Sequence, residues 1–205
     1  MQELVVATRN KGKLKEIKQM LHKRGLEIEV RGLEEFPSIG EVPEPGETFE
    51  ENAIFKARFV AQRLGRIVLS DDSGLEVDAL NGRPGVYSAR FSGEGATDER
   101  NNAKLLEMLR SVPPHKRGAQ FRCVMVLYSP EGDYVLTQGI WRGRIATEPS
   151  GDGGFGYDPI FIDEEKGMTA ASMDMETKNR RSHRGRALLK ISTLMENFFA
   201  MVQKG

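Results

Sequence analysis

Leu4-Val5-Val6-Ala7-Thr8-Arg9-Asn10-Lys11-Gly12-Lys13-Leu14 decides how this chain folds. A short apolar run ends in a polar turn, after which Leu14, Ile17 and Leu21 recur at helical spacing and Glu27 to Arg31 reads as a second strand. That is a β-α-β opening. Residues 32 to 47 hold three prolines and three glycines and read as an irregular, Glu-rich loop. Thr48-Phe49-Glu50-Glu51 is a capping box, Thr at the N-cap with Glu three residues on. It starts a helix with Phe49, Ala53, Ala57, Val60 and Leu64 facing inward. The helix leads to a buried strand, Ile67-Val68-Leu69, and beyond Asp71-Asp72-Ser73-Gly74 a further short strand is expected over Leu75 to Leu80. Asn81 to Gly85 is a turn cluster, and Thr97 to Leu109 a helix with Asp98 and Glu99 in its first turn. Two long strands follow, Gln120 to Tyr128 and Tyr134 to Thr147, joined around Ser129-Pro130-Glu131-Gly132, the second bent or bulged where it crosses Gly139 and Gly143. A helix from about Arg184 to Val202 closes the chain. Early alternation of strands and helices, then paired antiparallel strands, predicts an α/β fold: a mixed sheet with flanking helices, forming two lobes around a central substrate cleft. Residues 1–205 are expected to form a single domain.

Composition removes several classes of function. Hydrophobic content of 39%, charged content of 29% and a balance of 30 basic against 30 acidic residues describe a globular chain without a bulk field toward nucleic acid or membrane. The single cysteine, Cys123, rules out an internal disulfide and argues against a thiolate metal site. The chain enters its first strand without a signal-like segment, and no apolar stretch approaches the roughly 20 residues needed to span a bilayer. A cytoplasmic protein is expected.

Three segments carry chemistry. Asp71-Asp72-Ser73-Gly74 places two carboxylates, a hydroxyl and a turn-forming Gly at the mouth of a buried strand, where a hard cation and a water can be held. Mg²⁺ suits such oxygens because it binds through one or two carboxylates and keeps waters and substrate phosphates in the rest of its shell. An Asx-turn would use the same residues merely to satisfy backbone. Thr8 to Lys13 joins a strand to a helix N-terminus, where N–H groups and the helix dipole attract anions, although a solvated basic turn would look the same. Gly151-Asp152-Gly153-Gly154-Phe155-Gly156 fits G-x-G-x-x-G. Tyr157-Asp158-Pro159 follows it, however, so it does not open a helix and is no dinucleotide fingerprint. What remains is a loop presenting Phe155, Tyr157 and Asp158, a ring that can stack and a carboxylate that can accept from a base. Asn52 and Lys56 share a helix face, and Lys178 and Ser182-His183-Arg184 precede the last helix.

Taken in order, Thr8-x-Asn10-x-x-Lys13, Thr48-Phe49-x-Glu51-Asn52-Ala53, Asp71-Asp72-Ser73-Gly74-Leu75, Pro84-Gly85-x-x-Ser88-Ala89-Arg90, Gly153-Gly154-Phe155-Gly156-Tyr157-Asp158-Pro159 and Ser182-His183-Arg184 resemble the inosine/xanthosine triphosphate pyrophosphatase family over nearly the whole chain. The resemblance implies a Mg²⁺-dependent homodimer that hydrolyses ITP, dITP and XTP to the monophosphate and pyrophosphate and so cleanses the nucleotide pool. Carried over by position, Thr8, Arg9, Asn10, Lys11, Gly12 and Lys13 would hold triphosphate, with Asn52 and Lys56 also on the substrate side. Asp72 would be general base and metal ligand, Asp71 its support, Glu44 a second metal ligand, and Ser73 would touch substrate. Phe155, Gly156, Tyr157, Asp158, Lys178, His183 and Arg184 would form the nucleotide and base site, with Arg184 facing the 6-keto group. Ser70, where relatives have a small apolar residue, and the basic pair Arg9 and Lys11 are departures. A pyrophosphatase for other damaged nucleotides and a non-catalytic nucleotide sensor stay open as alternatives. A nucleic acid polymer is the least fitting partner, because the chain has neither basic excess nor an aromatic platform.

Overall fold

The computed structural model describes residues 2–203. Its strands are β1 (Gln2–Val6), β2 (Ile28–Gly32), β3 (Val68–Val77), β4 (Gly118–Tyr128), β5 (Tyr134–Ile145) and β6 (Phe161–Asp163). They lie in one sheet in the order β2-β1-β3-β4-β5-β6. The helices are α1 (Lys11–Lys23), α2 (Phe49–Leu64), α3 (Asp98–Met108), α4 (Met175–Arg181) and α5 (His183–Val202). β1 runs parallel to β2 on one side and to β3 on the other, with Val5 opposite Arg31 and Val68. β5 runs antiparallel to β6, Arg144 opposite Ile162. The sheet is therefore mixed and the chain α/β, as expected. Because β1 has neighbours on both sides and helices follow each parallel strand, Leu4, Val5 and Val6 are all fully buried. Among the described residues no helix is long and apolar enough to cross a membrane.

α2 starts where the capping box places it. Thr48 Oγ1 accepts from the Glu51 N–H and Glu51 Oε2 accepts from the Thr48 N–H, each at 3.1 Å. The helix ends at Gly65, whose φ of 60° is left-handed and costs a glycine least. The loop between β2 and α2 contains two single 3₁₀ turns, Leu33–Glu35 and Pro37–Ile39.

Two sequence expectations need correction. Asp71-Asp72-Ser73-Gly74 is not a turn at the end of a strand: β3 runs through it without interruption to Val77, and Asp78–Leu80 is a 3₁₀ turn instead of strand. The two carboxylates are tolerated inside a sheet because cations neutralise them there, and compensation of that kind leaves no local sequence signal. The second correction is α4, a seven-residue helix that was not anticipated. Its N-cap, Asp174, accepts from the Thr177 N–H at 2.8 Å, but the segment is too short and too polar to show helical periodicity.

By its contacts the chain divides into two units. The first comprises Met1–Asp72, Cys123–Gly139 and Arg184–Gly205, the second Ser73–Arg122 and Ile140–His183. The first unit has a core built from β1, α1, β4 and α5, with Leu4, Ile17, Leu69, Met125, Ile191 and Met195 at its centre. The core of the second gathers Leu75, Leu105, Phe121, Trp141, Ile160 and Phe161.

Candidate active site

In the first unit the β1–α1 turn is organised by its own side chains. Thr8 Oγ1 accepts from the Asn10 N–H, and Asn10, the N-cap, accepts from the Lys13 N–H, both at 3.1 Å. The first turn of α1 holds no acidic residue, so the positive end of the helix dipole is left for an anion. Lys13 lies over this turn and reaches Asp71 at 3.0 Å. Lys11 is exposed and sits 3.7 Å from Glu34. Arg9 takes a different course: its guanidinium donates to the Leu33 and Gly40 carbonyls at 3.4 and 2.8 Å, fastening the loop after β2.

Consecutive residues of a strand point to opposite faces, and Asp71 and Asp72 meet different partners. Asp71 is buried against Lys13 and, at 3.5 Å, Arg184 Nε. Burial works to raise its carboxyl, but Lys13, Arg184 and Lys56 outweigh burial and hold it well below the usual carboxylate range. Asp72 lies 3.4 Å from Lys56 Nζ through one oxygen, while its other oxygen is buried without a hydrogen-bond partner among the described residues. Its carboxyl is raised: burial and the Glu44 charge push it up, against Lys56, Lys13 and the Asn52 amide. Lys56, buried one helical turn after Asn52, bridges Asp72 and Glu44, the latter at 2.7 Å. Burial would lower it, but Asp72 and Glu44 raise it on balance. Asn52 accepts from the Gly46 N–H at 2.7 Å, and its buried amide side chain acts on the Asp72 carboxylate. A cavity of about 500 Å³ in this unit is lined by Thr8, Arg9, Lys13, Glu44, Lys56 and Asp71, among others.

These residues suit Mg²⁺ within limits. Among the described residues no three His, Cys, Asp or Glu side chains form a ready-made cluster. Mg²⁺ asks for less, one or two carboxylates with water and phosphate completing the shell, and the unpartnered Asp72 oxygen beside the Glu44–Lys56 pair meets that requirement. Glu51 does not compete for the role, since its carboxylate accepts from the Glu47 and Thr48 N–H groups.

Arg184 is buried in the first unit, donating to Glu16 at 2.7 Å and pairing with Asp71. Glu16 was missed. The signal was there, because a carboxylate next to Ile17 on the inner side of α1 demands a cation.

In the second unit, Asp158 is buried and accepts from the Phe155 N–H at 2.9 Å and from Lys178 Nζ at 2.7 Å. The Lys178 ammonium also lies 4.8 Å from the centre of the half-buried Phe155 ring. Gly154 has φ +76°, and a Cβ there would collide with the Asp158 carboxylate, so the loop can close on that carboxylate only with glycine. Gly156 is engaged through its backbone, donating to Asp98 at 2.6 Å and accepting from Asn102 at 3.0 Å. Tyr157, expected to present its side chain to substrate, instead packs in the core with its hydroxyl donating to the Ser88 carbonyl at 2.8 Å. His183 stacks on Phe121, ring centres 4.7 Å apart. Ser73 is half-buried in β3 directly after Asp72.

The model of the Ham1 family matches residues 4–194. The dITP/XTP pyrophosphatase of Geobacter sulfurreducens is 56% identical over 188 residues, 92% of this chain and 94% of its own. That of Nitratidesulfovibrio vulgaris is 52% identical over 202 residues, 96% and 97% of the two chains. Among solved structures, a HAM1 protein from Coxiella burnetii aligns with TM-score 0.87 and 44% identity, covering 96% of this chain and 100% of the other. A fold, a family match over residues 4–194 and relatives of this identity lead to one conclusion: the chain belongs to the Ham1 family.

Proposed function

We propose that this chain is a Mg²⁺-dependent nucleoside triphosphate pyrophosphatase that hydrolyses ITP, dITP and XTP to the monophosphate and pyrophosphate, acting as a cytoplasmic homodimer that keeps deaminated purines from polymerases. The relatives named dITP/XTP pyrophosphatase support the substrate class. The observation that carries the mechanism is the unequal state of two adjacent carboxylates. Asp71, held low by Lys13 and Arg184, is a fixed negative charge and a poor proton acceptor. Asp72, with a raised carboxyl and one buried oxygen unpartnered, is the better base.

In this reading the β1–α1 turn and Lys13 bind triphosphate oxygens, and Lys56 keeps Asp72 and Glu44 together. Asp72 takes a proton from water as it attacks the α-phosphorus, and pyrophosphate leaves intact. Asp72 and Glu44 would hold Mg²⁺, which when bound would neutralise charge on the phosphates. In the second unit, Phe155 offers a stacking face and Lys178 a donor. A 6-keto purine accepts from that donor, whereas the 6-amino group of adenine meets it donor to donor, a polar mismatch that sites built to hydrogen-bond can turn into roughly 10⁴-fold discrimination. Lys178 is given this role because its ammonium lies 4.8 Å from the centre of the Phe155 ring, beside the stacking face. The test is kcat/KM for ITP, XTP, dITP, ATP and GTP with Mg²⁺. The reading requires the three deaminated substrates to lead by orders of magnitude, and equal turnover of ATP contradicts it.

A further inference from the structure

α4 has seven residues, fewer than a helix needs to persist by itself, yet it carries Lys178, and the chain leaves it through Ser182 alone into His183. Something outside the helix must fix its C-terminal end. That end is Arg181, whose guanidinium donates to both oxygens of Asp163, Nε to Oδ2 at 2.7 Å and Nη2 to Oδ1 at 3.1 Å, and through Nη1 to Glu165 at 2.9 Å. Asp163 is almost completely buried at the end of β6 and is itself held rigidly. Trp141 Nε1 donates to it at 2.6 Å, and the Glu165 and Lys166 N–H groups donate at 2.9 and 2.6 Å. Five donors on one buried carboxylate leave it no alternative orientation. Trp141 also forms part of the aromatic shelf beneath His183, ring centres 6.4 Å apart. One residue thus ties the end of α4 to the same indole on which His183 rests.

We propose that Asp163 and Arg181 form a positioning clamp that presets Lys178 and His183, so that Arg181 acts on substrate affinity and purine choice without touching substrate. This rests on the functional reading above, in which Lys178 meets the base. A two-point fork sets direction as well as charge, which a lysine ammonium cannot reproduce. Arg181→Lys is therefore expected to keep the unit folded while failing to restore the site.

The experiment uses the full chain and five proteins: wild type, Arg181→Ala, Arg181→Lys, Lys178→Ala and the double variant of the two alanine changes. Arg181→Ala should raise KM for ITP about tenfold with kcat within about threefold, and should have little further effect in the Lys178→Ala background, because the two changes remove one function. Arg181→Lys should remain several-fold raised in KM. Amide hydrogen exchange over 175–181 should quicken at least roughly tenfold in Arg181→Ala, with the rest of the second unit unchanged. Unchanged exchange in α4 overturns the clamp, and additive losses in the double variant overturn its action through Lys178. A wild type that turns over none of the deaminated substrates overturns the functional reading instead, while the exchange measurement still decides whether the clamp exists.

Discussion

Replacing Arg184 by Met separates two accounts of the same residue. The wild-type guanidinium is buried between two buried carboxylates, 2.7 Å from Glu16 and 3.5 Å from Asp71. Methionine fills similar volume but leaves both acids without that cation. Asp71 keeps Lys13, whereas Glu16 loses its 2.7 Å ion pair with Arg184. Breaking a buried pair from one side costs about 3–5 kcal/mol, which for a chain of this size lowers Tm by about 6–20 °C. Adding Glu16→Gln should restore part of that loss by removing the stranded charge. On activity, displacement of Asp71 should reduce kcat/KM for ITP and ATP in similar proportion, because the damage lies beside Lys13 and the proposed phosphate site. The assay is thermal unfolding together with kcat/KM on both nucleotides. Stability within about 1 kcal/mol of wild type, or a loss confined to ITP, would refute the reasoning and return Arg184 to the base.

Asp72→Asn should lower kcat by at least roughly 10²-fold with the fold intact, as loss of a general base does; near-normal turnover removes Asp72 from the chemical step. Lys13→Ala should raise KM for triphosphate and flatten its dependence on salt, checked by kinetics across ionic strength. Glu44→Ala should weaken activation by Mg²⁺, while Glu51→Ala should cost about 1 kcal/mol of helix capping and leave the Mg²⁺ titration unmoved; the reverse pattern would exchange their roles. Asp71, despite its burial, is held low in the folded state by Lys13, Arg184 and Lys56. Its stabilisation is therefore fully present above the unfolded carboxylate range near pH 4 and lost as pH falls toward the folded value. Urea unfolding of wild type should weaken below about pH 4, and Asp71→Asn should flatten that slope.

Local chemistry was readable in the chain and long-range compensation was not. Thr48 and Glu51 announce the start of α2 because both halves of the capping box lie within four residues. Asn10 and Lys13 likewise mark a turn into a helix. Asp71 and Asp72 misled as a turn because what admits them to β3 is Lys13, Lys56 and Arg184, up to 113 positions away. A still larger separation, 168 residues, hides the Glu16–Arg184 pair. Tyr157 could be read as substrate ring or core ring. The hydrogen bond that decides it, to the Ser88 carbonyl, crosses 69 residues. α4 escaped because seven residues with one apolar side chain, Met175, have no apolar period to read, and its hold on the fold comes from Asp163 and Asp158.

The central claim, pyrophosphate release by attack at the α-phosphorus, is tested most directly by turning over ITP with Mg²⁺ in heavy-oxygen water and following phosphorus resonances. The account predicts IMP carrying the label and unlabelled pyrophosphate, with no IDP accumulating. IDP with stoichiometric orthophosphate, or label in the pyrophosphate, contradicts it.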